Sequence, residues 1–205
     1  MLTVWTGVWG SKYPDYYAQR MQREVAKHLS IPHRFLCISD RSIDGVNTIP
    51  LPDEWESWWP KICLFKKGFA DGENMWIDAD CVITGSLDEM VDKYSKAPLA
   101  ILTNWAQSGH GGCQSSVMLW KANYMAYQIY DLFEFEVDSK RLYGDQEWIT
   151  ELRDTNRIQP NPIDPKYTAS YKYHCRDGLP EGCKIVIFHG KPDPHEVKSE
   201  DWFSW

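Results

Sequence analysis

No apolar run in this 205-residue chain reaches the roughly 18 to 20 residues that cross a bilayer, so the sequence predicts no membrane span. Basic residues are in deficit, 22 against 29 acidic, and the net charge of −7 comes with no basic stripe, which argues against a nucleic-acid polymer as partner. The six cysteines (Cys37, Cys63, Cys81, Cys113, Cys175, Cys183) include no CxxC pair and no dense spacing, so they read as reduced core thiols. His174, Cys175, Cys183 and His189 leave a zinc site open as an alternative, although the set lacks a CxxC half. Repeats and low-complexity segments are lacking. The opening MLTVWTGVWG has no basic leader before a long apolar stretch, so no secretory signal is read and a cytoplasmic location is expected. Nothing in the pattern sets the oligomeric state.

What remains is a globular composition, 43% apolar and 25% charged, of a size that suits one domain over 1–205. Eleven tryptophans and eleven tyrosines are many for this length, and those in DEWESWWPK suit flat platforms for sugars or bases.

Strands and helices alternate. LTVWT reads as a strand, Tyr17, Met21, Val25 and Leu29 recur every fourth residue as in a helix, and HRFLCIS reads as a second strand. VNTIPL is a third short strand, and Pro60 fits the first turn of a helix running to about Gly68. NMWID is a further strand, followed by a capping box with Ser86 as cap and Glu89 three residues on. LAILTNW and SSVMLWK are strands flanking a glycine-rich loop. A helix is expected over about 122–135, with Met125, Ile129, Leu132 and Phe133 on one face, and another near GDQEWITEL. QPNPIDPKYTASYKYH is expected to wrap the surface, and KIVIFHGKPDP to be a last strand with a polar tail. The pattern predicts an α/β domain with a mostly parallel, Rossmann-like sheet flanked by helices.

NMWIDADCVIT sets the chemical question, because two carboxylates leave an apolar strand one residue apart and an unpaired buried charge costs several kcal/mol. In extended backbone Asp78 and Asp80 point the same way and can share a hard divalent cation; the plainer alternative is that they cap the next helix or face water. A calcium loop fails, since Val82 and Ile83 occupy its fifth-ligand and turn-glycine places. His189 closes an apolar strand, either as a further metal ligand or as a strand-end histidine, with Gly190 and Lys191 following. Lys61 sits in a predicted first helical turn, where a cation is disfavoured unless an anion binds there; a solvated lysine is the alternative. Asp145 is a candidate carboxylate for the transfer step or a simple helix cap.

MWIDADCVITGSLDEM, WWPKICLF, SSVMLW, YGDQEWI and FHGKP occur in an order that resembles the GT-A class of nucleotide-sugar glycosyltransferases, in particular the glycogenin-like and bacterial galactosyltransferase-like branch and its smaller phage and bacterial relatives. The resemblance implies a metal-dependent hexosyltransferase-like enzyme. Its substrates would be a nucleotide sugar, a UDP-sugar first, and a carbohydrate or other hydroxyl acceptor. It implies manganese or magnesium held by Asp78, Asp80 and His189, Lys191 on the diphosphate, and Thr6, Gly7 and Tyr13 bordering the nucleotide. Donor binding would fall to about 1–120 and the acceptor side to about 121–205. Gln114 departs from an asparagine common in relatives, and HGKP is more compact than the spaced motif of the glycogenin branch. A nucleotidyltransferase and a metal-dependent carbohydrate-binding protein remain as alternatives; the first would usually show a glycine-rich phosphate loop, which GVWGSKYP resembles poorly.

Overall fold

The computed structural model describes residues 1–104, 112–197 and 200–203. Successive side chains of a strand leave it on opposite faces, and in β1 (Leu2–Val8) both sets are buried: Leu2 and Val4 join one core cluster, Trp5 another. α1 (Tyr16–His28) buries Tyr17, Met21 and Val25, with Leu29 at its end, as the four-residue period predicts. β2 (His33–Ser39) and β3 (Thr48–Pro50) follow the predicted strands.

The segment after Pro60 is a 3₁₀ helix over Trp59–Phe65 that stops short of Gly68, with all seven residues buried. β4 (Glu73–Ile77) sends Met75 and Ile77 to the first cluster and Trp76 to the second. β5 (Val82–Ile83) and α2 (Asp88–Tyr94) come next. The predicted capping box does not form. Leu87 is the cap residue, and Glu89 is drawn instead to Lys166 (2.9 Å) and the Tyr167 hydroxyl (2.7 Å).

β6 (Ala100–Thr103) and β7 (Cys113–Lys121) are an antiparallel pair; Trp105 and most of the glycine-rich loop lie outside the described residues. The helix expected over 122–135 is two helices, α3 (Tyr124–Asp131) and α4 (Phe135–Arg141). Asn123 starts α3 by accepting from the N–H groups of Met125 and Ala126, while Asp138 accepts from the Glu134 N–H at the start of α4, so each has its own beginning. Leu132 consequently falls off the buried face. α5 (Asp145–Asp154) buries Trp148, Ile149 and Leu152.

The proline- and tyrosine-rich stretch does more than wrap the surface. After β8 (Asn161–Pro162), β9 (Thr168–Ser170) is buried, leads into α6 (Tyr171–His174), and pairs in parallel with β10 (Ile185–Ile187). The last strand ends at Ile187, two residues before His189.

The main sheet has the order β3-β2-β1-β4-β7-β6-β8, and β5-β10-β9 form a smaller one. β1 pairs in parallel with both β2 and β4, and β7 runs antiparallel between β4 and β6. The sheet is thus mostly parallel and mixed at β7, with helices flanking it. The chain moves outward from β1 through β2 to β3 and returns to place β4 on the other side. The switch point of the sheet therefore lies between β1 and β4, where open α/β sheets bind ligands beyond the strand ends.

Asn74, wholly buried on β4, accepts from the Trp5 indole N–H (2.9 Å) and donates to the carbonyls of Ala70 and Gly72 (both 3.0 Å). Asn74→Leu strands all three partners and should cost about 2 to 4 kcal/mol of stability in urea denaturation. Unchanged stability would show that these groups rehydrate freely.

Candidate functional site

At the switch point the ends of β1 and β4, the start of α5 and the segment after β10 enclose a cavity of about 510 Å³. Its wall includes Gly7, Tyr13, Lys61, Asp78, Asp80, Asp145 and His189, side chains from distant parts of the sequence. Gly7 belongs there because the Trp9 and Trp76 rings occupy the space a Cβ would need.

The two aspartates do not lie on extended backbone. The Cys81 N–H donates to the Asp78 carbonyl (3.0 Å), closing a turn that still leaves both carboxyls on the cavity wall. Asp78 is well compensated: its Oδ1 accepts from the Trp76 indole (2.7 Å) and lies 2.9 Å from the Lys61 ammonium. Asp80 is less so. Its Oδ2 accepts from the Tyr13 hydroxyl at 2.5 Å, but burial, and then the neighbouring Asp78, push its carboxyl up to about 6. Burial and the Asp80 carboxylate likewise hold the Tyr13 hydroxyl in its protonated form.

Lys61 explains much of the arrangement. Its ammonium is buried between Asp78 and Asp145, 3.4 Å from the Asp145 Oδ2, and reaches the Ser115 hydroxyl at 3.2 Å. Burial, the largest influence, pulls its pKa down, yet Asp145 and Asp78 together raise it above the ordinary lysine value, so it is charged. The anions that offset this lysine are two aspartates of the chain itself, rather than an anion at a helix N-terminus. Asp145 is the first residue of α5 and not its cap, which is Gly144. Its Oδ2 is buried, and its partner is the Lys61 ammonium.

His189 stands on the wall through β9 and α6. Its Nε2 lies 2.7 Å from the Ser170 hydroxyl, and the Tyr173 ring lies at 5.4 Å. Burial first, then Lys172 and His174, lower its pKa and favour neutral imidazole, the form that binds metals. Two carboxylates and an imidazole lining one cavity are a ligand set that suits manganese or magnesium. Asp80, whose burial is offset only by Tyr13 and the more distant lysines, gives such an ion an electrostatic reason to bind. The three side chains do not yet converge: among the described residues, the group of three whose ligand atoms lie within 4.8 Å of one another is Asp193, His195 and Glu196. That group is already bridged by Lys191. Cys175 and Cys183 are buried in a separate apolar cluster with Phe188 and do not gather with His189, so the zinc alternative finds no site.

Two predicted residues stand off the wall. Thr6 is buried and its hydroxyl donates to the Ile77 carbonyl (2.8 Å), tying β1 to β4. Lys191 is exposed, 2.7 Å from Asp193 and 2.9 Å from Glu196. Sequence reasoning missed Trp9, Trp58 and Tyr143 as wall residues, although the tryptophan-rich DEWESWWPK was a signal for the second. Trp58 and Tyr143 stack at 6.0 Å, and the Trp58 indole donates to the Tyr143 carbonyl (2.6 Å).

The fold is similar to that of solved glycosyltransferase structures. The glycosyltransferase GlyE of Streptococcus pneumoniae TIGR4 superposes with a TM-score of 0.68 at 14% identity over 95% of this chain, and its apo form with 0.65 at 12% over 94%. The chain spans just over half of those structures, 56% and 55%. No protein-family model and no curated protein matches the sequence.

Proposed function

We propose that this chain is a metal-dependent glycosyltransferase, moving a sugar from a nucleoside diphosphate donor, a UDP-sugar, to an acceptor hydroxyl. The observation that carries this reading is the joint presence of Asp78, Asp80, His189, Lys61 and Asp145 on one cavity at the switch point of a glycosyltransferase-like fold. Asp78, Asp80 and His189 would hold manganese or magnesium. A bound ion of this kind neutralises charge on the departing diphosphate.

The chain's own residues do the rest. The buried Lys61 pairs with Asp78 and Asp145 and adds positive charge beside the breaking bond. Asp145 lines the cavity, and its carboxylate, paired with Lys61 through Oδ2, would stabilise a positive anomeric centre or take the acceptor's proton. Trp9, Trp58 and Tyr143 offer flat faces for base or sugar rings and exclude water.

Thermal melting tests the reading. UDP with manganese, at a hundredfold excess over Kd, should raise Tm by roughly 5 to 10 °C, and either alone by much less. Asp80→Asn should abolish the joint effect. Full retention of the shift would remove Asp80 from the site, and failure of a UDP-sugar panel to release UDP with manganese would leave a binding protein rather than a transferase.

A further inference from the structure

Lys191, the lysine that sequence resemblance sets on the diphosphate, is already engaged. Its ammonium bridges Asp193 Oδ2 and Glu196 Oε1 outside the cavity wall, and Glu196 is fixed in turn by accepting from the Asp193 N–H (2.7 Å). To meet a phosphate it must abandon two carboxylates.

Lys172 has the opposite situation. Among the described residues its ammonium has no carboxylate within 4.0 Å and makes no hydrogen bond. It lies over Gly190, 3.3 Å from where a Cβ on that residue would sit. Gly190 lines the cavity at φ +64°, and with no side chain of its own it lets the lysine approach the backbone there. The same short corner anchors the candidate metal histidine: Ser170, wholly buried, holds His189 Nε2, and Tyr173 packs on its ring. β9 and α6 therefore bring a cation without a carboxylate partner against Gly190, next to the candidate metal histidine, and Gly190, His189, Asp78 and Asp80 all line the cavity.

We propose that Lys172, rather than Lys191, supplies the ammonium that meets the donor diphosphate beside His189. The inference rests on the donor reading above. A lysine on a flexible stem suits this task, because it follows a phosphate as a point charge without demanding one planar geometry. Asp145 and Lys61 would face the sugar while Lys172 faces the leaving group.

The test is calorimetric titration of the intact chain with UDP and with uridine in the presence of manganese. Lys172→Ala should weaken UDP by about ten- to a hundredfold, the effect of losing a charged hydrogen bond, and leave uridine unchanged. Lys191→Ala should change neither, and Lys172→Arg should keep most of the UDP affinity. Unchanged UDP affinity in Lys172→Ala, a loss confined to Lys191→Ala, or equal losses for UDP and uridine would each overturn the assignment. The donor reading is tested separately by the wild-type protein and by Asp80→Asn. If wild type shows no manganese-dependent preference for UDP over uridine, that reading fails and this assignment fails with it.

Discussion

Lys61→Met should destabilise the protein by about 3 to 5 kcal/mol, the usual cost of removing one partner from a buried ion pair. Methionine keeps most of the stem's packing volume, so the loss reports on charge rather than on a cavity. What it leaves behind is Asp145, almost fully buried, and Asp78, now held only by the Trp76 indole and its own partial exposure. One further measurement identifies the cause. Adding Asp145→Asn to Lys61→Met should recover stability, whereas Asp145→Asn in the wild-type background should not, a coupling that a double-mutant cycle reads directly. A Lys61→Met protein as stable as wild type at neutral pH would mean that water reaches both carboxylates and that the triad is held by solvent.

The opening question of the sequence, what offsets Asp78 and Asp80, has an uneven answer. Asp78 is matched by Lys61, a residue 17 positions away on a buried 3₁₀ helix. Sequence reading singled out Lys61 as an oddly placed cation, but it looked for a bound anion at a helix terminus, since only the fold shows that β4, α5 and the 3₁₀ helix converge. Asp80 is met by Tyr13, and the resulting upward shift of its carboxyl is visible only once burial is known.

Strands were legible because both their faces are apolar: β1, β2 and β4 appear within two residues of their observed bounds. The α1 period was legible for the same reason. Boundaries set by single side-chain hydrogen bonds were not. Ser86 and Glu89 have the spacing of a capping box, yet Glu89 finds a lysine and a tyrosine 77 and 78 residues away in sequence. The break between α3 and α4 depends on Asn123 and Asp138, polar residues that look interchangeable with exposed ones. Lys172 was hidden in the stretch assigned to the surface, where neither spacing nor composition signals that β9 pairs with β10 and carries the lysine to Gly190.

Asp145→Asn separates donor binding from transfer and should slow the chemical step by about 10² to 10⁴ if the carboxylate acts as base or stabilises the anomeric centre. Manganese-dependent UDP affinity should stay close to wild type, because Asp78, Asp80 and His189 are retained and Lys61 keeps Asp78 as its counter-ion at 2.9 Å. The cap explanation predicts no effect on rate, since asparagine caps as well as aspartate, and the structure weakens it further by giving the cap position to Gly144. A cost to the fold is expected all the same: about 0.3 to 1 kcal/mol for the lost negative charge against the dipole of α5, plus the loss of one of the two carboxylates paired with the buried Lys61, read in thermal denaturation. The two readouts therefore diverge: a loss of stability cannot account for a rate loss of hundreds-fold or more in a protein that remains folded and still binds UDP. Transfer at the wild-type rate in Asp145→Asn would reduce this carboxylate to a partner for Lys61 and move the search for the transfer residue to Glu147, two residues further along α5 and lining the same cavity.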